Sequence, residues 1–241
     1  FKDSRISDFA PYAFAHLFED CTQLIIAPNL PPYLTVGCYE SMFKGCINLT
    51  NTPDLPATTL TDYCYKSMFE GCMSLTTMPK LAATTLTKGC YESMFEGCTN
   101  IKQMPKLAAT QLTENCYSRM FKGCVNLEGE VELQAVPLEF GCYNEMFDGC
   151  PKINFIRAMF ITPVNDIYDS NNWPYTYNWV KNVAPTGTFI KNINAQWDCV
   201  GVHGVPTGWN VIYKHPLDSN YTPLCFESTG TTKIQFKTTR T

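Results

Sequence analysis

The apolar positions of this chain recur with a period of 26 residues. One column is Cys38, Cys64, Cys90, Cys116 and Cys142, and a second is Cys46, Cys72, Cys98, Cys124 and Cys150. The unit starting at Cys64 reads CYKSMFEGCMSLTTMPKLAATTLTKG, and the next reads CYESMFEGCTNIKQMPKLAATQLTEN. A degenerate unit precedes them over residues 13–37, with Ala13 in place of the first cysteine. A fixed period of this size is the mark of a solenoid, in which each unit buries its apolar face against its neighbours.

Within a unit, the first half predicts a short helix. Cys64, Met68 and Cys72 fall at i, i+4 and i+8, and Tyr65, Phe69 and Cys72 at i, i+4 and i+7, which draws one apolar stripe. Gly45, Gly71, Gly97, Gly123 and Gly149 stand where such a helix would end in a left-handed residue. Thr61, Thr87 and Thr113 stand where it would be capped. The second half predicts a short parallel strand. Its apolar columns are Leu49, Leu75, Ile101, Leu127 and Ile153, then Thr52, Met78, Met104, Glu130 and Ile156, and Pro53, Pro79 or Pro105 ends the ladder. Helix plus strand in a unit of this length is the leucine-rich-repeat arrangement, with strands about 4.8 Å apart.

The units resemble the BspA-like leucine-rich repeats of bacterial surface proteins. The likeness covers residues 13–160 and extends into Asn178, Trp179 and Val180, then GTFIKN (187–192) and GVPTGWNV (204–211). In that family similar segments close the repeat array; here an aromatic-rich insert, 168–177, interrupts the last unit. The resemblance implies an extracellular adhesion or recognition role, on cells or on virus appendages, and no chemistry.

Composition narrows the function classes. Hydrophobic residues make up 45%, charged residues 17%, and the net charge is −4, which describes a globular chain with a sparsely charged surface. No apolar run is long enough to span a membrane. Lys and Arg are scattered, without the basic stripe that nucleic acid requires. Opening on Phe1, without an initiator Met, the chain reads as a mature fragment.

The thirteen cysteines admit disulfides, a metal site or buried thiol ladders. Eight residues of helix would put Cys64 and Cys72 about 12 Å apart, too far for a disulfide. No column supplies the histidines that would complete a zinc site. Buried thiols are the reading the spacing favours, while Cys199 and Cys225, outside the ladders, are free to pair. His16, His203 and His215 are the only histidines, and none sits in a triad or elbow motif. His16 shares a column with Ser41, Ser67 and Ser93 and reads as solvent-facing, as do Glu70 and Glu96 in theirs. Neither a phosphate-binding loop nor a dinucleotide fingerprint is present, so no enzyme and no cofactor is expected.

The expected architecture is a right-handed α/β leucine-rich-repeat solenoid of about six units, with an aromatic-rich C-terminal cap and the start of a β module. Its segments are 1–12 as N-terminal cap or linker, 13–167 as solenoid, 168–215 as capping repeat with the insert, and 216–241 as a β hairpin. The repeats agree almost everywhere except along columns that point outward from the strands, where recognition could be written: Thr50, Thr76, Lys102 and Glu128; Asn51, Thr77 and Gln103; Asp54, Lys80 and Lys106. Trp173, Tyr175 and Tyr177 in the insert are a second candidate, for sugar stacking, set against a capping role. The expected function is recognition of a host protein, matrix component or glycan on the bacterial cell surface, by a monomeric module of a longer chain. A virus appendage is the alternative setting.

Overall fold

A computed structural model of the chain describes residues 9–134, 137–162 and 174–215. The calls on Phe1 to Asp8, the hairpin in 216–241, Trp173 and most of the aromatic insert lie outside the described residues. Among the described residues there is no helix, and the regular structure is one small parallel sheet of four strands.

Where the spacing predicts helices, the chain instead runs as a ribbon of successive turns. In the unit beginning at Gly37, the amides of Cys38, Glu40, Met42, Lys44 and Cys46 each donate to the carbonyl three residues back. The intervening amides do something else: Tyr39, Ser41, Phe43 and Gly45 donate to Cys64, Lys66, Met68 and Glu70 of the next unit at 2.8–3.1 Å. The same alternation repeats from Tyr63, Gly89, Asn115 and Gly141. Every second turn carries a left-handed residue in its third position, as a type II turn demands. In the first full unit these are Gly37, Ser41 and Gly45, with φ of 58°, 53° and 72°. The glycine column read as a helix terminus is therefore left-handed, φ 72–79°, but ends a turn ribbon.

Physical reasons for the difference are at hand. A helix of nine or so residues is too short to hold itself together in water. The ribbon lends half of its amides to the neighbouring unit, so that stacking and backbone satisfaction become one interaction. Turns repeating every four residues also direct the Cys-Tyr, Met-Phe and Cys positions inward, all of them buried. Identical residues then meet along the stack. Phe18, Phe43, Phe69, Phe95, Phe121 and Phe147 form one ladder with ring centroids 5.5–5.9 Å apart. Tyr39, Tyr65, Tyr91, Tyr117 and Tyr143 form another at 5.9–6.2 Å. Each such pair contributes about 0.5–1.5 kcal/mol beyond the area it buries.

The predicted threonine caps change role with the helices. Thr61 donates its hydroxyl to the Thr35 carbonyl of the preceding unit at 2.8 Å. The hydroxyls of Thr87 and Thr113 are buried without a hydrogen-bond partner. His16 is solvent-facing as read, beside Glu19 at 2.7 Å, but Ser41, Ser67 and Ser93 in the same column are buried, at 5%, 7% and 6% exposed. Their two-atom side chains cannot reach past the residues around them, whereas Arg119 in the same column is exposed.

Strands were expected in every unit and form only at one end. β1 (Val131–Leu133), β2 (Phe155–Ala158), β3 (Thr188–Asn192) and β4 (Asn210–Lys214) lie in chain order, all parallel. The proline column accounts for this. Pro53, Pro79 and Pro105 lack the amide a ladder needs, and the equivalent positions become Val131 and Arg157 where pairing begins. Ile156 pairs with Val131, not with the expected Glu130. That slip of one residue follows Gly129, whose φ of 104° an L side chain rarely adopts.

At the C-terminal end, residues from Pro174 resume the ribbon: the carbonyls of Tyr175, Tyr177, Trp179 and Lys181 accept from Tyr143, Glu145, Phe147 and Gly149. Trp179 is fully buried at the end of the tyrosine ladder, 6.3 Å from the Tyr143 ring, and donates its indole N–H to the Gly204 carbonyl.

Candidate functional site

After the last cysteine of each ribbon, Leu75 and Ile101 plug into the core and the chain leaves without regular structure. Thr76, Thr77 and Lys80 of one unit and Lys102, Gln103 and Lys106 of the next are all exposed, and they line a single groove of about 710 Å³. Six of the candidate recognition residues are therefore neighbours. Met78, Pro79, Met104 and Pro105 supply an apolar lining between them. A smaller cavity of about 280 Å³ continues past Lys106 and is lined by Glu130, Glu132 and Arg157.

The remaining candidates are placed elsewhere. Thr50 is exposed, but both its amide and its hydroxyl bond to the Ile25 carbonyl, at 3.0 and 3.1 Å. Asn51 accepts the Ala27 amide at 3.1 Å. These two tie one unit to the one before. Asp54 is exposed and stands outside both cavities. Glu128 is exposed, but its amide donates to the Lys102 carbonyl at 2.9 Å, which holds the groove's far wall. Tyr175 is half-buried against the core. Tyr177 is exposed and stacks on the His203 ring, centroids 5.2 Å apart.

Electrostatics separate the groove from the ribbon face. On the ribbon, basic side chains stand against carboxylates of adjacent units. Lys44 pairs with Glu70 at 3.0 Å, Lys66 lies between Glu40 and Glu92 at 3.7 and 3.8 Å, and Arg119 lies between Glu96 and Glu145 at 2.7 and 3.5 Å. Glu70 and Glu96 are thus paired rather than simply solvated. Lys80, Lys102 and Lys106 take part in no ion pair among the described residues. The groove thus gathers three cations with no ion pair among the described residues, bordered on its far side by Glu128, Glu130 and Glu132.

The titratable groups of the interior are held neutral. All twelve described cysteines are free thiols, and ten of them are buried in the two columns. Burial pushes the thiols of Cys64, Cys72, Cys116 and Cys150 up to about 12. Thiols in that state are not nucleophiles at neutral pH. In the second column Cys72, Cys98, Cys124 and Cys150 donate to the carbonyls of Phe43, Phe69, Phe95 and Phe121 at 3.0–3.1 Å. Among the described residues no group of three or more His, Cys, Asp or Glu is placed to hold a metal ion. His203 accepts the Asn178 amide on Nδ1 at 2.8 Å, and burial lowers its pKa. No helix of the described residues is long and apolar enough to cross a membrane.

Sequence reading overlooked Lys191, which is 3% exposed inside β3. Its ammonium donates to the Trp197 carbonyl and to Asp198, and lies 4.5 Å from the centre of the Trp197 ring. A lysine directly after the apolar pair Phe189 and Ile190, followed by Trp197 and Asp198, is the signal that was available.

The chain matches no protein-family model, no curated protein and no solved structure.

Proposed function

We propose that this chain is a recognition module of leucine-rich-repeat type, a right-handed solenoid displayed outside a bacterial cell, and that it binds a partner through the groove between the units of Cys64 and Cys90. The observation that carries the proposal is the convergence of Thr76, Thr77, Lys80, Lys102, Gln103 and Lys106 on one concave surface. These are positions at which the repeats differ from one another. The stacked core columns, by contrast, repeat almost without change. A scaffold that is constant inside and variable along one surface is what a repeat protein needs to present a binding face.

Burial keeps the column thiols protonated, and His203 is engaged by the Asn178 amide, which supports a binding reading over a catalytic one. The partner is a macromolecule on a host or neighbouring cell, either a protein or a glycan. The test is a screen of the chain against arrays of matrix proteins, host surface proteins and glycans, repeated with Lys102→Ala/Gln103→Ala. A specific hit that the double variant loses, with an unchanged melting temperature, supports the groove. A hit that the variant retains places recognition elsewhere.

A further inference from the structure

Resting on the recognition reading above, we propose that the groove's ligand is an extended acidic peptide segment, bound as an added strand along residues 76–83 and 104–109.

Three independent features define this class of ligand. The first is charge. Lys80, Lys102 and Lys106 are exposed and make no ion pair among the described residues, while the basic residues of the ribbon face stand against carboxylates of neighbouring units. A ligand that brings carboxylates supplies these ammonium groups with ion-pair partners.

The second is the backbone. Apart from Met104, which follows the bridge between Gln103 and Glu128, and Pro79 and Pro105, which have no amide, the backbone groups of residues 76–83 and 104–109 take part in no backbone hydrogen bond among the described residues. Two neighbouring segments thus leave some donors and acceptors open along the groove. An added peptide strand can pair with the open groups on either side of each proline, because its own donors and acceptors alternate in the same way. A polysaccharide cannot offer that repeat.

The third is the lining. Met78 and Met104, with Pro79 and Pro105, give unbranched and ring-shaped apolar surface able to accept aliphatic side chains. No aromatic ring lines this groove, so the flat stacking surface that sugar binding exploits is missing from it. A strand alternating acidic and aliphatic residues would turn its aliphatic side chains to the methionines and its carboxylates to the lysine rims.

The experiment uses the full chain, isotopically labelled, titrated with a short amidated peptide alternating glutamate with leucine. Controls are the same peptide with lysine for glutamate, and polygalacturonate as an acidic glycan. The expected result is that the acidic peptide moves the amide resonances of residues 76–83 and 104–109. Lys102→Glu/Lys106→Glu should weaken its binding about tenfold or more. Lys102→Gln/Lys106→Gln, which adds no like charges, serves if the first variant is unstable and should weaken binding less steeply. Equal binding of the acidic and basic peptides, or shifts confined to other residues, overturns the proposal. Polygalacturonate moving these amides while the peptide does not overturns the peptide and leaves recognition through the groove standing. No response to any of the three probes also overturns the peptide, and the array screen then decides the broader reading separately.

Discussion

The amide of Phe69 donates to the carbonyl of Met94 in the following unit at 2.9 Å, while the amide of its neighbour Met68 donates back to Tyr65. This alternation, repeated along each ribbon, makes the stack of units a backbone structure and not merely a packing of side chains. It places Phe69 directly beneath Phe95 in the aromatic ladder, ring centroids 5.5 Å apart. It also requires a left-handed residue at every fourth position.

That requirement gives the first expectation. Ser93 has φ of 52° and is buried. A β-branched residue there meets both the left-handed penalty, about 1–2 kcal/mol, and a lack of room. Ser93→Val should lower the unfolding free energy by about 2–3 kcal/mol, and Ser93→Gly by much less or not at all. Urea titration of the two variants against the parent chain checks this, and equal loss in both would contradict it.

How much of this could be read from the sequence is clear at the same residues. Over nine positions, apolar residues at i, i+4 and i+8 satisfy a helix of 3.6 residues per turn and a ribbon of four equally well. The core columns were therefore legible, and the element that carries them was not. A distinguishing signal did exist. Gly37, Gly89 and Gly141 stand eight residues before Gly45, Gly97 and Gly149, at the start of three of the five supposed helices, and that second glycine column fits a left-handed position recurring along a ribbon. The groove was half legible: the variable columns were visible, but the splitting of units into strand-forming and strand-free sets depends on the proline column. The placement of Thr50 and Asn51 as ties to the preceding unit depends on stacking geometry that no single unit encodes.

The thiol columns give a second expectation. Cys98 donates to the Phe69 carbonyl at 3.0 Å in a fully buried site. Cys98→Ala leaves that carbonyl without this donor and opens a small void, at a cost of about 1–3 kcal/mol. Cys98→Ser keeps the donor and should recover part of the loss. In native protein a thiol reagent should modify exposed Cys21 first, with the buried columns reacting only in denaturant. Rapid modification of all the thiols under native conditions would be inconsistent with this packing.

Alkaline conditions should act through the same groups. Folding raises the Cys72 thiol from its ordinary value of 9.0 to about 12. Between those values the folded chain holds a proton that the unfolded chain releases, so stability is intact below 9.0 and declines as pH rises toward about 12. His203 acts at the other end, where burial lowers its pKa from 6.5. Here the unfolded chain takes up the proton first, so stability falls as pH drops below 6.5. Melting temperatures across pH should show both declines, and His203→Asn, which retains an acceptor for the Asn178 amide, should flatten the acidic one.

The ribbon charges give a fourth. Lys66 lies between Glu40 and Glu92. Lys66→Glu would stack three carboxylates and should destabilise by about 1 kcal/mol at low ionic strength, an effect that added salt reduces. A loss insensitive to salt would point to packing of the lysine stem instead.

The stacking of units through alternate amides can be read directly from through-hydrogen-bond scalar couplings in the labelled protein. The account predicts a coupling between the amide nitrogen of Phe69 and the carbonyl carbon of Met94, and the matching one between Phe95 and Met120. A coupling from Phe69 to Tyr65, the pairing of an α-helix, would contradict it.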